Sequence, residues 1–147
     1  SKLIYKNDLI FEEIYVAKPH VFISREHPLA KKKLITVEDL KPYPYLVFEQ
    51  GKHNSFYFAE EFLSMLDLPK NIMVRDRATL FNLLIGLDGF TVSSGIIDSK
   101  LNGENIIARP LESDCNMRIG IITKKNSVLS RYGKNIQIHW RDCHCCT

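Results

Sequence analysis

A chain of 147 residues, of which 45% are hydrophobic and 25% charged, can bury one good core or two small lobes and is too apolar to be disordered. The net charge of +3, from 20 basic against 17 acidic residues, is too small for a dedicated nucleic-acid-binding surface. No apolar run is long enough to cross a membrane, and the first residues lack the apolar segment of a secretory signal. We therefore expect a cytoplasmic protein.

Strands and helices are predicted to alternate along most of the chain. Extended apolar runs predict strands over residues 9–16, 20–24, 45–48, 72–74, 90–92, 105–111 and 117–123. Helices are predicted after a Thr36 cap, after Asn54 or Ser55, over 77–87 and at 129–140. In the turn at 25–30, Pro28 favours an extended His27, which we interpret as a turn residue because a lone histidine supports no mechanism. This order favours a mostly parallel α/β sheet.

The helix over 77–87 is predicted to pack against the sheet. Asp76 is a suitable N-cap, and the apolar residues form so wide a stripe that little of the helix is left for water: Leu80, Phe81, Leu83, Leu84, Ile85 and Leu87. Gly86 is expected to permit close backbone approach. Gly89 is expected to take the left-handed conformation that ends a helix.

Polar residues follow three predicted strands, at 49–54, 75–77 and 93–95. Ligands of open α/β sheets bind beyond the carboxyl ends of the strands, and helix N-termini present free N–H groups to anions. For any single residue here, capping or solvation is the commoner use. The prediction of a binding site therefore depends on the three junctions taken together.

No motif for catalysis or nucleotide binding is present: the sequence has no G-x-G-x-x-G, Walker loop, H-E-x-x-H or G-x-S-x-G. Neighbouring carboxylates such as Glu60 and Glu61 point apart rather than across a substrate. Cys115 stands alone in a polar turn. The C-terminal Cys143, His144, Cys145 and Cys146 are packed too closely for good zinc geometry, so we interpret 141–147 as a tail. We predict no catalytic residue, no metal and no cofactor.

Two stretches resemble the effector domain of LysR-type transcriptional regulators. Residues 18–51, KPHVFISREHPLAKKKLITVEDLKPYPYLVFEQG, contain an H-P-L-A turn, a T-x-E-D-L helix and a strand ending in a polar loop, in the order found in that family. Residues 76–95, DRATLFNLLIGLDGFTVSSG, are similar to a later segment with a buried helix, a glycine-marked turn and a short strand. The resemblance extends from about residue 11 to residue 134.

The resemblance implies an α/β, periplasmic-binding-protein-like (type II) fold, with one nearly complete lobe plus part of a second, joined by crossover strands. Residues 1–17 would be a remnant of the first lobe and a crossover strand, and 18–112 the second lobe. Residues 113–140 would be the return crossover strand and closing helix, before the 141–147 tail. Family effector contacts carried over to this sequence fall on Glu49, Gln50, Gly51, Asp76, Arg77, Ala78, Thr79, Thr91, Ser93 and Ser94. A proline often found in the last turn is Ser94 or Gly95 here.

The function implied is a ligand sensor within a bacterial regulator. Arg75, Arg77 and Lys52 would suit a small anionic or amino-acid-like effector. Because the chain shows no helix-turn-helix and no linker helix, operator DNA would be bound only through a domain absent from it. Exposed edges of the incomplete first lobe predict a homo-oligomer, and no membrane partner is expected. The alternatives are a solute-binding protein of similar fold, which a signal peptide would favour, and an enzyme built on that fold, which turnover would reveal.

Overall fold

The computed structural model describes residues 8–49, 68–97 and 103–135. In chain order the elements are β1 (Leu9–Ala17), β2 (His20–Ser24), a 3-10 turn (Pro28–Lys31), α1 (Val37–Leu40), β3 (Tyr45–Phe48), β4 (Asn71–Val74), α2 (Arg77–Gly86), β5 (Thr91–Ser93), β6 (Ile106–Pro110) and β7 (Met117–Lys124). Residues 131–135 are helical. The helix predicted after Asn54 and the end of the closing helix lie outside the described residues. Among the described residues no helix is long and apolar enough to span a bilayer.

The chain divides into two compact units. The small unit comprises 1–17 and 117–147, and the large unit comprises 18–116. In the small unit β1 pairs antiparallel with β7, and the register shifts between Glu13 and Tyr15. Gly120 lies opposite Glu13, where an added Cβ would stand 2.1 Å from the Glu12 carbonyl oxygen and 2.7 Å from the Phe11 ring. A glycine is therefore required at this irregularity.

The large unit contains an antiparallel sheet, β5–β2–β6, and a parallel pair, β3–β4. A parallel bridge between Tyr45 and Phe90 joins them. Phe90 donates its N–H to the Pro44 carbonyl at 3.0 Å, and its own carbonyl accepts the Leu46 N–H at 2.8 Å. The resulting strand order is β4–β3–β5–β2–β6.

The expectation of a mostly parallel sheet holds for β3, β4, β5 and β6 of the large unit, which all run in the same direction, and is wrong for β2. In the described residues β2 runs antiparallel to both β5 and β6, and β1 runs antiparallel to β7. Alternation of strands with helices shows where the chain crosses over, but it does not fix the direction of a strand such as β2, which follows directly from the small unit.

Apolar side chains cover both faces of the large unit's sheet. Because successive residues of a strand point to opposite faces, Val21 and Ile23 pack on one side and Phe22 on the other. The first face carries Ile35, Leu40 and Phe90, and the second carries Leu46, Val74, Leu80 and Leu84, all at most 4% exposed. Each such fully buried side chain contributes about 1.5–3 kcal/mol to stability.

Helix α2 begins and ends close to its predicted bounds, but it is less buried than expected. Leu80 and Leu84, one turn apart, are buried against the sheet. Ile85 is 47% and Leu87 49% exposed, so the prediction that little of the helix is left for water is wrong. The helix contacts the sheet along one stripe, and the other apolar positions lie beside that stripe.

The two glycine expectations in and after α2 are also wrong. The left-handed residue is Asp88, with φ of 48°, and not Gly89. An added Cβ at Gly86 would meet nothing within 4 Å, whereas at Gly89 it would lie 2.9 Å from Leu46 Cδ1. The close approach therefore occurs at Gly89. A hydrogen bond 3.0 Å long between His27 Nε2 and the Asp88 carbonyl helps to hold Asp88 in place.

His27 has the structural role expected of a turn residue. It is extended before Pro28, with φ of −57° and ψ of 141°, and only 2% exposed. Its Nδ1 accepts the Leu29 N–H at 3.0 Å, so Nε2 carries the proton that is donated to Asp88. The ring lies 4.4 Å from the ring of Tyr43. Burial lowers the pKa of His27, partly opposed by the Asp88 carbonyl and carboxylate.

The cap predicted at Thr36 is confirmed as a capping box. The Thr36 side chain accepts the Asp39 N–H, and the Asp39 carboxylate accepts the Thr36 N–H at 3.0 Å. Lys32 donates to the same carboxylate at 2.6 Å, and this bond, with those from Thr36, lowers the pKa of Asp39 to about 2.

Replacing His27 should change how stability depends on pH. Because the pKa of His27 is lower in the folded chain than its ordinary value of 6.5, the unfolded chain binds the proton more readily. The free energy of unfolding should fall as the pH drops from about 8 to about 5.5. In a His27→Gln variant, urea unfolding should show lower stability at pH 8 and a smaller loss at acidic pH. An unchanged slope in the variant would contradict this role.

The Gly120→Ala substitution should destabilise the chain by about 1–3 kcal/mol, because its methyl group would overlap the Glu12 carbonyl oxygen. Gly133→Ala is the matched control. Its methyl group would meet nothing closer than 3.6 Å within the 131–135 helix, so a gain of up to about 1 kcal/mol is expected. Urea unfolding of both variants measures the difference, and equal effects would show that the β1–β7 register does not require a glycine.

Candidate functional site

The parallel ends of β3 and β4 bring together two oppositely charged residues. Phe48 and Val74 are register partners, and the Glu49 N–H donates to the Val74 carbonyl at 2.7 Å, which extends the ladder by one residue. Arg75 Nε donates to Glu49 Oε2 in an ion pair whose side chains are 84% and 42% exposed. The hydrogen bond from Arg75, reinforced by its charge, lowers the pKa of Glu49. The pair therefore remains ionised at neutral pH.

The start of α2 is already capped by the chain's own carboxylate. Asp76 Oδ1 accepts the Thr79 N–H at 2.8 Å, and Oδ2 accepts the Thr79 hydroxyl at 2.8 Å. These bonds lower the pKa of Asp76. An anion approaching this helix end would meet a negative charge where the sequence analysis expected free N–H groups. The helix start alone therefore does not favour an anion.

Arg77 and Ala78 form the exposed first turn of α2. The Arg77 guanidinium carbon lies 5.1 Å from the centroid of the Phe81 ring, within cation–π range. Phe81 packs against the buried cluster that includes Leu80 and Leu84. The guanidinium is therefore held along the helix by a ring that is itself fixed by the core.

The end of β5 reaches the same edge of the sheet. Ser93 pairs with His20 and Thr91 with Phe22, and Thr91, Ser93 and Ser94 are half-buried. The bridge between β3 and β5 is isolated at Tyr45 and Phe90, so no ladder is formed between the carboxyl ends of these strands. Counting along both strands from that bridge places Glu49 level with Ser94. The region beyond the carboxyl ends of the strands is the usual position of a ligand in an α/β sheet.

Sequence reasoning missed one residue at this edge, His20. Gly95 has φ of 85°, and an added Cβ there would lie 2.5 Å from His20 Nδ1. Nδ1 lies 2.8 Å from the Lys18 carbonyl oxygen, which makes Nδ1 the donor of this hydrogen bond. Only the β2–β5 register brings His20 next to the Ser93–Gly95 turn, and no pattern in the sequence encodes that register.

The structure thus gathers most of the predicted site residues at one edge: Glu49, Asp76, Arg77, Ala78, Thr79, Ser93 and Ser94. Thr91 lies at the start of β5, two residues before Ser93. Gln50 and Gly51 lie outside the described residues, as does Lys52. Within the described ranges no three His, Cys, Asp or Glu side chains group as metal ligands. The C-terminal cysteine cluster is not among those ranges. Carboxylates, guanidinium groups and hydroxyls are the kinds of group that can hydrogen-bond a small polar molecule.

Comparison with known proteins identifies a family. The model of the LysR substrate binding domain matches residues 3–135. Over 65 residues, 44% of this chain and 21% of the other, the sequence is 32% identical to a probable nitrogen assimilation transcriptional activator of Synechocystis sp..

Two solved structures show the same fold. A putative LysR family transcriptional regulator from Pseudomonas aeruginosa superposes with a TM-score of 0.70 at 15% identity, covering 92% of this chain and 48% of that one. The effector binding domain of QuiR in complex with shikimate gives a TM-score of 0.67 at 21% identity, covering 93% and 67%. The chain therefore spans about half the length of the P. aeruginosa regulator. It has the periplasmic-binding-protein-like α/β fold expected from the sequence, and it belongs to the LysR substrate binding domain family.

Proposed function

We propose that this chain is the effector-sensing part of a bacterial LysR-type transcriptional regulator that acts in the cytoplasm. It binds a small anionic or amino-acid-like molecule at the edge formed by the carboxyl ends of β3, β4 and β5. The observation that carries this proposal is the convergence at that edge of the Glu49–Arg75 ion pair, the Asp76 cap and the Ser93–Ser94 turn.

The ligand of a structural neighbour fits this chemistry. QuiR's domain is solved with shikimate, a carboxylic acid that carries hydroxyl groups. Such a ligand needs a cationic partner for its carboxylate and hydrogen-bonding partners for its hydroxyls. Arg75 supplies the first, and the hydroxyls of Ser93 and Ser94 supply the second. Besides Arg75, the proposed contacts are those implied by the family resemblance: Glu49, Gln50, Gly51, Asp76, Arg77, Ala78, Thr79, Thr91, Ser93 and Ser94.

Binding would act on transcription by changing the relative populations of two conformations of the regulator. A ligand shifts a conformational equilibrium only if it binds one arrangement more tightly than the other. In this proposal residues 18–112 form one lobe, 1–17 and 113–140 contribute to the other, and the ligand favours one arrangement of a homo-oligomer. Operator DNA is bound through a helix-turn-helix in the longer regulator.

A thermal-shift screen of small carboxylic and amino acids tests the proposal. A ligand at about one hundred times its dissociation constant should add about 2.7 kcal/mol to the free energy of unfolding, because it binds the folded chain alone. A Ser94→Trp variant should lose this stabilisation, since the indole would fill the gap between the strand ends. Val128→Trp is the control, because Val128 is 91% exposed on the small unit.

Retention of the full shift by Ser94→Trp would place the ligand elsewhere. If no acid stabilises the unmodified chain or the longer regulator, the sensor function is wrong.

A further inference from the structure

We propose that the effector is an α-amino acid in its zwitterionic form, with its carboxylate bound by Arg75 and its ammonium bound by Glu49. This inference rests on the proposed function and narrows the class of its ligand. An α-amino acid carries both charges on one carbon atom, so its two partners must stand side by side. Glu49 and Arg75 do so, since each directly follows one of two hydrogen-bonded parallel strands.

The backbone fixes where the two side chains start. The Glu49 N–H bonds the Val74 carbonyl, so Glu49 continues the β3–β4 ladder while Arg75 takes the next position on β4. Neighbouring strands are about 4.8 Å apart. Two side chains of this length can therefore bond each other directly or, with a small rotation, hold a ligand's two charges between them.

Among the described residues at this edge the charges balance, which favours a ligand with no net charge. Arg75 and Arg77 contribute two positive charges, and Glu49 and Asp76 contribute two negative charges. The α2 start presents the Asp76 carboxylate, since the Thr79 N–H and hydroxyl are bonded to it. A simple anion would meet two carboxylates as well as two guanidiniums, so its gain from the arginines is offset. A zwitterion gives Arg75 and Glu49 each a partner of opposite charge.

Exchange of the ion pair for ligand contacts is energetically feasible. An exposed ion pair contributes little to folding, so opening it disturbs the fold little. With 84% of Arg75 and 42% of Glu49 exposed, both heads are accessible to a small molecule. Ser94, which counting along the strands places level with Glu49, is then the nearest hydroxyl expected to contact the amino acid's side chain.

The test is isothermal titration of the chain with the common L-amino acids, each beside its N-acetyl derivative and its α-carboxamide. At least one amino acid should bind saturably, and each derivative should bind about tenfold or more weakly, because it lacks one charge-assisted hydrogen bond. Arg75→Gln and Glu49→Gln should each weaken binding of the parent amino acid by a similar factor.

Arg118→Gln is the matched control. Arg118 forms a somewhat less exposed ion pair with Glu13 on the β1–β7 pair, with side chains 66% and 36% exposed. This variant should bind the amino acid as the unmodified chain does, and urea unfolding checks that every variant is folded.

The outcomes separate the two proposals. If an acid without an ammonium group binds as tightly as its amino-acid counterpart, or if the Arg75 and Glu49 variants bind normally, the proposal of a zwitterionic effector is wrong. The proposed sensor function would then be unaffected. If neither amino acids nor other acids bind at all, both are wrong.

Discussion

The parallel bridge at Phe90 is the contact on which the candidate site depends. Phe90 is fully buried, its ring stacks 5.1 Å from that of Tyr45, and its backbone joins β3 to β5. This contact joins the backbone of the β3–β4 pair to that of the antiparallel sheet, and the two apolar clusters join their side chains. Because the bridge is parallel and isolated, it directs the carboxyl ends of β3 and β5 to one edge and leaves them unpaired there. The core thus creates the gap that the polar residues flank.

Much of the fold could be predicted because the residues that determine it lie close together in the sequence. β2 and β3 have their predicted bounds, and the capping box at Thr36 follows from residues three apart. What could not be predicted depends on distant partners. Asp88 is left-handed where a glycine was expected, next to a hydrogen bond from His27, which is 61 residues away in sequence. The requirement for Gly120 arises only from the β1–β7 register.

In the candidate site, too, features set by neighbouring residues could be predicted and features set by distant partners could not. Strand ends and the family resemblance predicted which residues approach the edge, and the family is confirmed. The pairing of Glu49 with Arg75 depends on the Phe48–Val74 register, and His20 depends on the β2–β5 register, so neither follows from the sequence. Asp76 shows the opposite case: its use as a cap was predictable, and that use changes the chemistry by placing a carboxylate at the helix start. Asp76 therefore both caps the helix and sets the charge that a ligand would meet at the helix start.

Amide chemical shifts of the isotope-labelled chain, recorded while the stabilising acid is added, test the central claim most directly. If the ligand binds at the carboxyl edge of β3, β4 and β5, saturable shifts should be largest at Glu49, Arg75, Thr79 and Ser94, with little change along β1 and β7. Shifts concentrated on the β1–β7 pair or on α1, with the strand-end residues unaffected, would contradict the account.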